Sequence, residues 1–247
     1  MTDGGGGRHW GLRAITLPSG IPARALARAS RSARKLNVDN TLGHAARAQD
    51  VLGQPQLVQL AQFVLTTVSK HLRRSRIFVL PNMTVRKSAD LYWHVDYFFL
   101  RNAKSPEVTS EILHVSVPLA VMKVPLCAWP VEIIETSLAP ADYGDMSSLV
   151  KIIRHCRSCG TMKAGDILLW HGGYVHRSAP AYRKRHLATL QLTVALTPRA
   201  KNLFIKQINE RAMMPAEEND RYRCIVHSRT IRSQVQQRLG SRRVRSG

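Results

Sequence analysis

At Arg76 the hydrophobic pattern of this chain changes period, and that change limits the fold more than any other feature. Before it, apolar residues recur at helical spacing; after it, short apolar runs alternate with turn residues. Upstream, Ala25, Leu26, Ala29, Ala33 and Leu36 predict a helix within Ile21–Leu36, preceded by a short strand over Leu12–Leu17 and the turn Pro18-Ser19-Gly20. Leu57, Leu60, Ala61, Val64, Leu65 and Val68 predict a second helix. Pro55 suits its start, and His71-Leu72-Arg73-Arg74 suits the negative end of its dipole. Downstream, strands are expected at Ile77–Leu80, Leu91–Leu100, Ile112–Met122, Val131–Ile134, Ile167–Trp170 and His186–Leu196. Met146–His155 reads as a short helix or an amphipathic loop, and Leu203–Arg211 as a last helix. Helices first and strands later give an α+β protein whose β portion closes as a sandwich or barrel.

The chain has 247 residues, enough for one full-sized domain with terminal extensions or, at a stretch, two small domains. Its longest apolar runs fall far short of the roughly 20 residues a membrane-spanning helix needs, and a hydrophobic content of 44% excludes a wholly disordered chain. Charge is the outlying property. Lys and Arg number 37 against 16 acids, a formal charge of +21, and the excess gathers at the ends. Eight arginines follow Asp220 with no acid among them, and Gly4–Gln49 holds eight bases against Asp39 alone. Such ends favour phosphate-rich or acidic surfaces without requiring a fold. Residues 1–7 are expected to be a flexible glycine-rich leader.

The four cysteines are scattered, which implies no disulfide framework and a reducing, intracellular setting, with the cytoplasm as the default. No secretory h-region opens the sequence, while the Arg-rich, acid-poor stretch Arg8–Arg47 has the composition of a transit peptide and keeps organelle import open. Cys156-Arg157-Ser158-Cys159, preceded by His155, has the inner spacing of a zinc half-site but lacks a second close pair.

Two segments carry chemistry. In Leu91-Tyr92-Trp93-His94-Val95-Asp96-Tyr97-Phe98-Phe99, His94 and Asp96 stand two apart on a strand, so they share a face and can grip one metal. Alone, His-x-Asp is a weak signal. It gains force from Lys163–Pro180, where Gly165-Asp166 feeds the apolar strand Ile167–Trp170, Gly172-Gly173 makes a bend, and His176 is followed by Arg177-Ser178-Ala179-Pro180. His176 lies 82 residues after His94. Two histidines and one carboxylate leave open positions on a metal, the facial arrangement that suits non-haem Fe(II). His171 is a rival ligand, though its place at the end of an apolar strand favours a structural role. His114 is expected in the core or behind the ligands, His186 at the surface, and Arg177 at the surface or in a salt bridge. Trp93, Tyr97, Phe98 and Phe99 read first as core, with Tyr97 and Trp93 as pocket-lining candidates.

In these parts, and in their order from Trp10 to Leu196, the sequence resembles the Fe(II)/2-oxoglutarate-dependent oxygenases, within them the phytanoyl-CoA dioxygenase-like branch. The stretch Trp129–Ser137 also matches, as a strand leading to a small-residue turn. The resemblance implies a double-stranded β-helix (a cupin-like jelly roll) with N-terminal helices packed on one side. It implies an Fe(II) site of His94, Asp96 and His176, with 2-oxoglutarate as co-substrate and dioxygen as oxidant. The expected outcome is hydroxylation of a small molecule, with release of succinate and CO2. It also implies a basic residue after the distal histidine to hold the far carboxylate of 2-oxoglutarate, a task for which the planar fork of arginine is suited. Members of the branch often place it eleven residues on, where this chain has Leu187; Arg185 is the first choice here and Arg183 the second, both sharing strand parity with that position. Asn82 or Thr84 is a candidate to help orient the co-substrate. The Asn-Gly turn usual before the Trp129 region is replaced by Leu126-Cys127-Ala128, so loops facing the substrate differ.

The domain organisation expected is therefore a leader (1–7), an oxygenase domain (8–200) and a basic, partly helical C-terminal extension (201–247). The competing reading is a non-enzymatic jelly-roll nucleic-acid-binding protein with basic arms, supported by the charge and the acid-free tail. It gives no reason for His94, Asp96, His176 and Arg185 to appear in that order.

Overall fold

The computed structural model describes residues 14–18, 20–37, 48–74, 76–80, 83–86, 111–119, 127–128, 131–134, 157–158, 160–172, 174–178 and 188–212. Within them the elements run β1 (Ile15–Leu17), α1 (Ala23–Lys35), α2 (Ala48–Leu52), α3 (Pro55–His71), β2 (Phe78–Val79), β3 (Thr84–Arg86), β4 (Ile112–Leu119) and β5 (Cys127–Ala128). They continue as β6 (Val131–Ile134), β7 (Arg157–Ser158), β8 (Thr161–Met162), β9 (Ile167–His171), β10 (Val175–Ser178), β11 (Ala188–Ala195) and α4 (Pro198–Ala212). The protein is α+β, as the change of period at Arg76 predicts. None of the described helices is long and apolar enough to cross a membrane.

A six-stranded sheet in the order β1-β9-β4-β11-β2, with β3 also paired to β11, forms the centre of the fold. A three-stranded sheet β10-β6-β7 and a pair β5-β8 complete the described strands, and every pairing is antiparallel. All eight residues of β4 are buried, so this strand is covered on both faces. The reason is visible in two separate cores. Leu113, Val115, Val117 and Leu119 of β4 join Ile167 and Leu169 of β9, Leu190, Leu192 and Val194 of β11, and the buried stripes of α1 and α3. On the opposite face, Leu168 and Trp170 of β9 pack with Ala14, Val131 and Ile133 of β6, Met162 and Tyr174. Because successive side chains on a strand point to opposite faces, β9 feeds both cores, with Ile167 and Leu169 on the helix side and Leu168 and Trp170 on the other.

The helices form for the reasons the spacing gives. In α1, Leu26, Ala29, Ala33 and the following Leu36 face inward, while Arg24, Arg28, Arg31 and Arg34 stay exposed. Ala25, expected on the apolar face, is exposed. In α3, Pro55 takes a first-turn position, Leu57, Leu60, Ala61, Val64 and Val68 are buried, and Leu65 is partly so. α1 is tied to the sheet by Ser30 Oγ, which donates to the carbonyl of Leu119 at 3.1 Å. α4 begins five residues before the expected helix, and its start has a local cause. The Thr197 hydroxyl accepts from the Ala200 amide at 3.1 Å, an N-cap in front of Pro198. Phe204 of α4 is fully buried, so this helix packs against the rest of the fold.

Candidate functional site

His176 sits on β10 directly opposite Ile133 of β6 and is 7% exposed. Its Nδ1 lies 2.9 Å from the carbonyl oxygen of Tyr174. A carbonyl can only accept, so this contact puts the ring proton on Nδ1 and the basic lone pair on Nε2, the tautomer a metal ligand needs. The neighbouring Arg177 points to the other face of β10, where its Nε donates to Glu132 Oε2 at 2.5 Å across the β6–β10 pair. Glu132 is nearly inaccessible, with its side chain 4% exposed. This buried, charge-assisted contact clamps β10 to β6 and fixes where His176 stands.

His176 meets the large sheet through rings. Its centroid is 5.7 Å from that of His114 on β4 and 5.9 Å from that of Trp170 on β9, and those two are themselves 5.2 Å apart. His114 pairs in register with Trp170 on one side and Thr193 of β11 on the other, and its Nδ1 lies 3.1 Å from the Thr193 hydroxyl. The face of the sheet turned away from the helices therefore carries His114 and Ser116 from β4, Thr189, Gln191 and Thr193 from β11, and Thr84 and Arg86 from β3. The register places these in facing rows: Thr193 opposite His114, Gln191 opposite Ser116 and Thr84, Thr189 opposite Arg86.

This inner face is polar and buried at once. Ser116, Thr189 and Thr193 are at most 2% exposed. Among the described residues, Thr16 Oγ1, Arg86 Nε, Ser116 Oγ and Trp170 Nε1 are buried and reach no hydrogen-bond partner. The registers of β1 with β9 and of β3 with β11 put all four on the same side as His114. A buried polar group without a partner costs free energy, on the order of 1–3 kcal/mol each, so a cluster of them on one surface marks a place where a polar ligand completes the structure. Those observations fit a metal and a carboxylate-bearing co-substrate beside His176.

His171 closes β9 with its ring 5.0 Å from Tyr174. Burial, and secondarily the charge of His114, push its pKa down to about 4, so it is neutral at physiological pH. This agrees with a structural role. Arg177 resolves to the salt-bridge reading. His94, Asp96, Trp93, Tyr97, Arg183, Arg185, Asn82, His186, Cys156 and Cys159 lie outside the described residues. Among the described residues no group of three His, Cys, Asp or Glu side chains is placed to hold a metal ion. Sequence reasoning missed Arg86, Ser116, Thr193 and Glu132 as parts of the site. The available signal was the alternation of His and Ser with Leu and Val in β4, and of Thr and Gln with Leu and Val in β11.

No protein-family model and no curated protein matches the sequence. Solved structures do. EctD from S. alaskensis, determined with 2-oxoglutarate and 5-hydroxyectoine, matches with a TM-score of 0.54 and 19% identity over 74% of this chain and 71% of that one. The non-haem alpha-ketoglutarate-dependent epimerase SnoN from nogalamycin biosynthesis matches with a TM-score of 0.49 and 18% identity over 74% of this chain and 76% of that one. At 19% identity the likeness to EctD is one of fold.

Proposed function

We propose that the chain is a non-haem Fe(II)/2-oxoglutarate-dependent dioxygenase of the phytanoyl-CoA dioxygenase-like branch. Its domain is a double-stranded β-helix, and it hydroxylates a small molecule inside the cell. The observation that carries this reading is the buried, tautomer-fixed His176 facing a polar sheet surface on which Thr16 Oγ1, Arg86 Nε, Ser116 Oγ and Trp170 Nε1 reach no partner among the described residues. The fold likeness to EctD, a structure holding 2-oxoglutarate, supports it, as does the order His94-x-Asp96 … His176 in the sequence.

His94, Asp96 and His176 would hold the iron, and Arg185, or Arg183 behind it, would meet the far carboxylate of 2-oxoglutarate. Bound there, the iron supplies activation of dioxygen, coupled to decarboxylation of the keto acid, for attack on a C–H bond. The chain's own contribution is positional. Tyr174 holds the His176 ring in one tautomer, and the Arg177–Glu132 contact holds its strand. Trp170, Leu168 and Ile133 form an apolar wall beside the histidines that keeps water from the reacting centre. No side chain is required as a general base.

The test is succinate formation from 2-oxoglutarate with Fe(II), together with the weak visible absorption that appears when Fe(II) and 2-oxoglutarate are added without oxygen. Both are expected in the native chain and absent in His176→Ala and Asp96→Ala. A native chain that shows neither, yet binds RNA with steep salt dependence and no need for metal, would be the nucleic-acid-binding protein with basic arms instead.

A further inference from the structure

We infer that the cleft at the C-terminal end of α3 is a second binding site, for a ligand that presents closely spaced phosphates. The cleft has a volume of about 510 Å³, and Lys70, Arg73, Arg74 and Arg76 line it, all four exposed. Leu65 and Ile77 back it and pack on the helix-side core. The cleft therefore lies on the side of the large sheet away from His176, needs no metal, and stands apart from the function proposed above.

Four cations meet here with no acid in the lining. The sequence explains this, since Val51–Ala89 holds six bases and no acid. Among the described residues none of the four is paired with a carboxylate. Glu111 reaches this end of the fold through its carbonyl, which accepts from the Leu196 amide, but its carboxylate takes the Thr197 hydroxyl. The negative end of the α3 dipole gives a reason for cations, yet it amounts to about half a unit charge and answers only one of them. The others share a space little wider than the screening length, about 8 Å at physiological salt, so they repel one another.

The backbone spends strain to put them there. The Arg73 amide donates to the Lys70 carbonyl at 3.1 Å and the Arg74 amide to the Ser69 carbonyl at 3.0 Å, the two bonds of a Schellman helix end. That motif needs a left-handed residue at position 73, normally glycine, and Arg73 takes φ +51° instead. Arg74 Nη1 reaches to 3.4 Å from the Leu196 carbonyl oxygen. Arg76 lies 5.0 Å from the centre of the Phe78 ring, and Lys201 of α4 lies 5.5 Å from the same centre. Three elements thus converge to concentrate positive charge. One carboxylate offsets one of these charges, whereas linked phosphates bring at least one charge each, and the guanidinium fork grips their oxygens in pairs.

Such phosphates come from a free oligophosphate or from a polynucleotide strand. Phe63 separates the two. It is 40% exposed and stands seven residues before Lys70 on the same face of α3, so it offers a ring to a base beside the cleft.

The experiment titrates the full chain calorimetrically, at physiological salt and without metal, with inorganic tripolyphosphate and with a short oligouridylate. Two triple variants of equal net charge are compared: Lys70→Gln, Arg73→Gln and Arg74→Gln in the cleft, and Arg24→Gln, Arg28→Gln and Arg31→Gln on the exposed face of α1. If a free oligophosphate is the ligand, tripolyphosphate binding falls about tenfold in the cleft variant and holds in the α1 variant, while any oligouridylate binding falls alike in both. If a strand is the ligand, the oligouridylate shows the selective loss, and Phe63→Ala weakens it without touching tripolyphosphate. Arg73→Gly supplies a readout that a structural role would not give: relief of the left-handed conformation raises the melting temperature, while affinity for the bound probe falls. A native chain that binds neither probe, equal losses in the two triple variants for every probe bound, or full affinity in Arg73→Gly overturns the site.

Discussion

At the scale of single residues, the contact between Glu132 and Arg177 is the most consequential feature beside His176. Removing one partner of a buried ion pair strands the other, which costs about 3–5 kcal/mol. Glu132→Ala is therefore expected to lose stability of that order in urea unfolding, whereas Glu132→Gln, which keeps an acceptor for Arg177 Nε, loses less. His171 gives the second residue-scale expectation. Its folded pKa of about 4 lies below the ordinary 6.5, so between those values the unfolded chain binds the proton that the folded chain refuses. The stabilisation from keeping this ring neutral is complete above pH 6.5 and is lost as the pH falls toward 4. A gap of that size corresponds to on the order of 3 kcal/mol. In His171→Phe the slope of stability against pH over this window flattens, as denaturant midpoints at pH 7 and pH 4.5 measure.

Elements come next, and here some were legible in the sequence and others were not. The Gly165-Asp166 turn was legible because its chemistry is local. Asp166 N donates to the Lys163 carbonyl at 3.1 Å, its carboxylate accepts from the Lys163 amide at 2.7 Å, and Gly165 takes φ +85°. Only glycine enters that region without strain, so Gly165→Ala is expected to cost about 1–2 kcal/mol, read as a fall in melting temperature with no change in far-ultraviolet dichroism. The stripes of α1 and α3 were equally legible, since burial of one face sets the spacing. β3 was not. Three residues, Thr-Val-Arg, have no periodicity to detect, and what makes them a strand is pairing with β11, more than 100 residues later. β10 escaped for a related reason: Val-His-Arg-Ser has one conventional strand residue, and its stability comes from β6 and the Arg177–Glu132 clamp. Of the site, His176 could be found from its motif, but the donors around it could not, because threonines and serines in alternating strands look like solvent-facing residues until a second layer covers them.

For the whole molecule, the arrangement is a sheet with an apolar face against helices and a polar face toward His176. Among the described residues the buried polar atoms without partners lie on the polar side, so a ligand that pairs with them stabilises the entire fold by mass action. Fe(II) or Mn(II) with 2-oxoglutarate at about a hundred times its Kd is worth about 2.7 kcal/mol. For a chain of this size that is a rise of roughly 5–10 °C in melting temperature. The rise is expected in the native protein and absent in His176→Ala, as differential scanning fluorimetry reports directly.

β4 lies between β9 and β11, buried along its whole length, with Val115 and Val117 toward the helices and His114 and Ser116 toward the face that His176 meets. A strand in that position transmits volume. Enlarging or trimming a valine on the helix side displaces the same backbone that carries His114 and Ser116, so the spacing of these polar groups from His176 is adjustable from behind. Laboratory selection for altered ligand preference should accordingly return changes at Val115, Val117 and the α1 residues stacked on them, positions that no ligand ever touches.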